Sequence, residues 1–111
     1  MLRNYEFCFL LRADLPEEEF NKEIDFIERS ILREGGEIIK KDNLGRKTLA
    51  YPIQKKEEAI FYLFYVKSNP ENISKIESNF YRRENILRYL ILKRKKLKFE
   101  EEEVNAGSIS E

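Results

Sequence analysis

The chain has 111 residues, 41% of them hydrophobic and 13% aromatic, which is enough for one core and too little for two. Basic and acidic residues number 21 each, so the net charge is zero and by itself points to no partner class. With no histidine and one cysteine, Cys8, an internal disulfide is excluded and a zinc site lacks its usual ligands.

The distribution of charge says more than its sum. Met1 to Glu37 holds 5 basic and 10 acidic residues, whereas Arg82 to Lys98 holds 8 basic and 1 acidic. No apolar run approaches the roughly 20 residues that span a bilayer. No signal peptide precedes Tyr5, so the expected location is the cytoplasm.

In chain order, residues 3–12 place Tyr5, Phe7, Phe9 and Leu11 on one face and Glu6, Cys8 and Leu10 on the other. Their near-continuous apolarity predicts a central strand, with Cys8 as a packed thiol. Asp14 with Glu17 reads as a capping box, and Pro16 suits a first helical turn. Phe20, Ile24, Ile27 and Ile31 then form one helical stripe opposite Glu18, Lys22, Asp25 and Arg29, and Gly35-Gly36 ends the helix.

Residues 37–43 and 46–53 predict a second strand, as one long strand kinked near Gly45, where glycine frees the backbone for a bend or bulge. Leu49, Tyr51 and Ile53 alternate on one face, and Pro52 marks an edge strand or a strand end because it has no N–H to give. In residues 57–67, Ile60, Tyr62, Phe64 and Val66 oppose Phe61, Leu63 and Tyr65 as a third strand. Asn69-Pro70 reads as a helix start, with Ile73, Ile76 and Phe80 as the buried stripe. Ile86 to Lys93 is the fourth strand. The domain is thus expected over 1–94, followed by a charged, disordered tail over 95–111 whose apolar content is low.

The order βαββαβ, with two crossovers, predicts an α+β, ferredoxin-like sandwich: a four-stranded antiparallel sheet with both helices on one face. The two most apolar strands, first and third, belong in its centre. The helix-free face would then expose Cys8, Leu10, Phe61, Leu63 and Tyr65, or the alternate set, and such a patch marks an interface unless long charged side chains or the tail cover it.

Arg82, Arg83, Arg88, Lys93, Arg94, Lys95 and Lys96 supply arginine forks and lysine point charges suited to phosphate, with solvated surface charge as the plain alternative. Double-stranded RNA, read through phosphates, 2′-hydroxyls and shape, suits such a stripe. Tyr5, Phe61 and Tyr65 could stack on an unpaired base, although core or protein contact is the simpler use. Catalysis finds no support: there is no nucleophile elbow, glycine-rich phosphate loop or CxxC, and Glu17-Glu18-Glu19 and Glu57-Glu58 read as helix-start and turn charges. Acylphosphatases share the layout, but their glycine-flanked arginine loop is replaced by Ala13-Asp14-Leu15-Pro16.

The segment Gly45 to Ile53, GRKTLAYPI, resembles the signature of the bacterial small-subunit ribosomal protein family numbered six, the S-six family. Tyr5-Glu6 in the first strand and Arg83-Glu84-Asn85-Ile86-Leu87-Arg88 before the last are similar to the family in the same register, from about Leu2 to Lys93. The resemblance implies a non-enzymatic structural constituent of the small ribosomal subunit, without cofactor, membrane or small-molecule substrate. It implies binding to the central domain of small-subunit ribosomal RNA together with the S-eighteen ribosomal protein, in support of subunit assembly. Arg46, Lys47, Arg83, Arg88 and Lys93 carry over as RNA contacts, and Arg3 joins them as a basic residue at the first strand's mouth. Leu49, Tyr51, Phe61, Leu63 and Tyr65 are the expected partner contacts. The alternative is a small-ligand-binding regulatory module of the same fold that dimerises through its sheet, which would need a glycine-lined loop after the first strand.

Overall fold

Four strands and two helices follow one another in the expected order, and the computed structural model describes them over residues 1–95. They are β1 (Arg3–Arg12), α1 (Glu17–Arg33), β2 (Glu37–Ile53), β3 (Lys56–Ser68), α2 (Ile73–Ser78) and β4 (Ile86–Arg94), with a 3-10 turn at Pro70–Asn72 before α2. The expected tail beyond Lys95 lies outside the described residues.

The sheet is antiparallel throughout, in the order β2-β3-β1-β4. The apolar strands β1 and β3 are central, and the charged strands β2 and β4 are the edges. Both helices cover one face. The core joins Tyr5, Phe7, Phe9 and Leu11 of β1 to Ile24, Ile27 and Ile31 of α1, and to Ile76 and Phe80 from the second crossover. Its centre is aromatic: Phe9 meets Phe80 edge-on at 5.0 Å between centroids and Phe64 at 5.7 Å, geometries that add to simple burial. Ile27 is fully buried, and truncating such a residue to alanine costs about 2–5 kcal/mol.

Glycine is required where α1 hands over to β2. A Cβ on Gly36 would stand 2.7 Å from Ile31 Cγ2 and 3.0 Å from the Ile31 carbonyl oxygen, so the turn can close only without a side chain. In β2, Gly45 has φ +88°, and its N–H donates to Asn43 Oδ1 at 2.8 Å. The register with β3 shifts between Asn43 and Gly45, so the expected kink is a bulge within one 17-residue strand.

Three local expectations need correction. Asp14 does not cap α1, which starts at Glu17 after Pro16 with no side-chain cap. Its carboxylate instead accepts from Arg12 and Lys56, two cations that outcompete backbone N–H groups for it. Asn69 likewise offers no side-chain cap; its Oδ1 accepts from the N-terminal ammonium at 2.9 Å. Phe80 is buried as expected but lies past the end of α2, in the turn that follows Asn79.

Candidate functional site

Among the described residues β4 has a neighbour on one side only, and it carries the exposed cations Arg88, Lys93 and Arg94. Arg88 lies near its start, opposite Leu10 of β1, and Lys93 near its end, opposite Tyr5. At about 3.3 Å per residue, five residues separate them by roughly 17 Å along the edge. Antiparallel pairing brings the start of β1 to the end of β4, so Arg3 joins Lys93, Arg94 and Lys95 around an open groove of about 580 Å³, floored by Leu2 and Asn4. Asn4 Nδ2 donates to the Lys95 carbonyl oxygen at 3.0 Å and holds the two segments together. Arg3, Arg88 and Lys93 are all exposed, with no ion-pair partner among the described residues.

Arg46 and Lys47 occupy the opposite edge, on β2, facing Ile60 and Ala59 of β3. Three strand spacings, about 14 Å, lie between the two edges. Arg46 is partly committed: its Nη2 donates to the Ala13 carbonyl oxygen at 2.9 Å, and its Nη1 lies 3.7 Å from Glu58 Oε1. Lys47 is exposed and unpaired among the described residues. Below them, Arg12 donates from Nε and Nη2 to Asp14 at 3.0 Å each, and Lys56 Nζ adds a third contact at 3.0 Å. These hydrogen bonds, Arg12's first, hold the Asp14 carboxyl well below the usual carboxylate range. The β2–β3 turn, Gln54-Lys55, has positive φ at both residues, the twist a two-residue hairpin needs. Its Lys55 lines a hollow with Asp14, Arg46 and Glu58 whose charge is mixed rather than basic.

Arg83 is occupied elsewhere. Its Nε and Nη2 donate to the two carboxylate oxygens of Glu23 at 2.9 and 3.0 Å, and its guanidinium sits 3.9 Å from the centroid of the Phe26 ring. Glu23 is 2% exposed and also accepts from Asn85 Nδ2. Two of the donors that Arg83 was expected to offer a phosphate are thus used in tying the β4 approach to α1.

The helix-free face carries the expected partner residues, with uneven exposure. Phe61, Leu63 and Tyr65 of β3 face Leu10, Cys8 and Glu6 of β1. Phe61, Leu63, Leu10 and Cys8 are half-buried, while Tyr65 is buried in the sheet's own packing. Burial raises the Cys8 thiol pKa, with the nearby Glu6 carboxylate adding to it. Leu49 and Tyr51 fall where β2 overhangs its partner, between Thr48↔Glu58 and Ile53↔Lys56. Tyr51 is 63% exposed. Tyr5 belongs to the helix-covered core, so it cannot stack on a base.

Two residues of this face escaped sequence reasoning. Leu90, opposite Cys8 on β4, is 55% exposed; its parity was legible, but the β1–β4 register was needed to place it beside the patch. Glu6 was placed on this face by its alternation alone, and its burial there follows from neighbours on β3 and β4. Among the described residues, no three His, Cys, Asp or Glu side chains cluster as metal ligands would.

The Ribosomal protein S6 family model matches residues 4–93. The small ribosomal subunit protein bS6 of Porphyromonas gingivalis is 35% identical over 95 residues, 86% of this chain and 81% of the relative. That of Sulfurimonas denitrificans is 38% identical over 92 residues, covering 83% and 67%. The crystal structure of 30S ribosomal protein S6 from Thermotoga maritima superposes with a TM-score of 0.82 at 25% identity, covering 96% of this chain and 99% of that one.

Proposed function

The chain belongs to the Ribosomal protein S6 family, and on that premise we propose that it binds the central domain of small-subunit ribosomal RNA together with the S-eighteen ribosomal protein. It acts as a structural constituent of the ribosome rather than as an enzyme. The observation that carries the RNA reading is the edge of β4, where Arg88, Lys93 and the neighbouring Arg3 stand exposed and free of acidic partners among the described residues. Each can neutralise a phosphate without first breaking an ion pair.

The mechanism is assembly. Cations on an edge strand lie along a phosphate backbone and release its counterions, while Lys47 and the less available Arg46 reach a second backbone from the β2 edge. Arg83 contributes by fixing the approach to β4. Between the edges, the helix-free face and the β2 overhang at Leu49 and Tyr51 receive the protein partner. A folded RNA junction bound at two edges and roofed by a protein is stabilised by linkage, since each ligand favours the arrangement the other needs.

Hydroxyl-radical footprinting of a central-domain RNA fragment tests this. Protection by the chain with the S-eighteen protein should cover backbone at an RNA helix junction, and Arg88→Ala with Lys93→Ala should erase part of it. Protection unchanged by that double substitution would remove the β4 edge from the interface.

A further inference from the structure

Glu6 stands on the helix-free sheet face between Tyr65 of β3 and Leu92 of β4. It is 7% exposed. One carboxylate oxygen, Oε2, has Arg94 Nη2 at 3.4 Å, a long contact. The other, Oε1, is buried and has no hydrogen-bond partner among the described residues. Buried polar atoms are nearly always satisfied, and a bare charged one is the costliest kind. The next residues of β1 on this face, Cys8 and Leu10, are half-buried, and Leu90 beside Cys8 is largely exposed. An under-satisfied carboxylate next to an uncovered leucine suits an isolated domain poorly. It suits a docked protein well, because docking supplies the donor and covers the leucine in one step.

We propose that this face docks a protein segment that lays apolar side chains over Leu63 and Leu90 and presents a lysine or arginine N–H to Glu6 Oε1. The inference rests on the reading of the chain as a subunit component with a protein partner, and it specifies what that partner must bring. A cation fits better than a neutral donor because, among the described residues, the one long contact from Arg94 leaves much of the carboxylate's charge unmatched in a site drier than water. The Arg94 side chain is 47% exposed and has room to turn aside as the donor enters. RNA fits worse than protein, since its phosphates would approach the carboxylate.

The test is the affinity of the full chain for purified S-eighteen ribosomal protein without RNA, by calorimetry at low and high salt. Wild type is compared with Glu6→Gln and Glu6→Leu, and each is also melted alone. Both variants should melt no lower than wild type, because the substitution removes a poorly satisfied buried charge. Both should bind about tenfold or more weakly, the size of a lost hydrogen bond to a charged group, with the deficit shrinking at high salt. Unchanged affinity in both variants would overturn the inference, and so would a loss of binding matched by a lower melting temperature, which would make Glu6 a structural residue. If both variants instead gained direct RNA affinity while binding the protein normally, the face would belong to RNA and the inference would fall. Wild type that fails to bind the S-eighteen protein would remove the partner reading itself, an outcome distinct from wild type that binds while Glu6 proves irrelevant.

Discussion

Arg83 grips Glu23 with two hydrogen bonds, 2.9 and 3.0 Å, between residues sixty apart in the chain, and covers the Phe26 ring while doing so. α1 is thereby fastened to the segment that launches the basic strand β4. Because Glu23 is 2% exposed, removing the arginine leaves a buried carboxylate with Asn85 as its remaining donor among the described residues.

Arg83→Ala should therefore lower stability by about 2–4 kcal/mol, less than a fully buried pair would because the arginine side is partly solvated. Denaturant melts measure this. At a temperature where both proteins are folded, Arg83→Ala should lose less RNA affinity than Arg88→Ala. The reverse order would return Arg83 to the phosphate-binding set.

The two edges predict a particular salt dependence. Arg88→Ala and Lys93→Ala should each reduce the slope of log K against log salt by roughly 0.7–0.9, one phosphate contact apiece. Lys22→Ala, on the exposed face of acidic α1 where Lys22 sits 3.7 Å from Glu18, should leave the slope alone. Titrations at four or five salt concentrations separate the cases, and equal losses in all three would mean the edge is not the binding surface.

Asp14 predicts a limb of the pH–stability curve. Hydrogen bonds from Arg12 and then Lys56 depress its folded-state pKa. Its contribution is present above the unfolded value, near pH 4, and is lost as pH falls toward the lower folded value. Asp14→Asn should flatten that part of the acid limb while leaving the slope above pH 5 unaltered. Chemical denaturation from pH 2 to 7 reads the difference, and superimposable acid limbs would show that the three-residue cluster contributes nothing.

Cys8 predicts a rate. Its thiol pKa is raised by burial and by Glu6, so less thiolate is present at neutral pH than in a free cysteine. Alkylation of the native protein should be slower than that of a model thiol at pH 7.5, and Glu6→Gln should quicken it. Labelling as fast as the model thiol would mean the sheet face is open at Cys8.

The alternation in β1 and β3 was enough to place the central strands and the core, because period-two burial is written directly in residue type. Ile24, Ile27 and Ile31 fixed α1 in the same way. What sequence could not supply were competitions settled by distant residues. Asp14 looked like a cap, but Lys56 is 42 positions away and draws the carboxylate off. Arg83 reads from sequence as a free cation, but Glu23, sixty positions away, engages two of its donors. Tyr65 sat on the correct face, yet parity says which way a side chain points and nothing of how its neighbours bury it. The division of the basic residues between two edges follows from strand order, which the apolarity of β1 and β3 had already implied.

The most direct test of the central claim is the affinity for a central-domain RNA fragment, measured with and without saturating S-eighteen protein at one fixed salt concentration. Two ligands that favour the same folded junction should be coupled by about 1–3 kcal/mol, so binding should tighten roughly 5- to 150-fold with the partner present. Equal affinity in both conditions would contradict cooperative assembly, and no affinity in either would contradict RNA binding altogether.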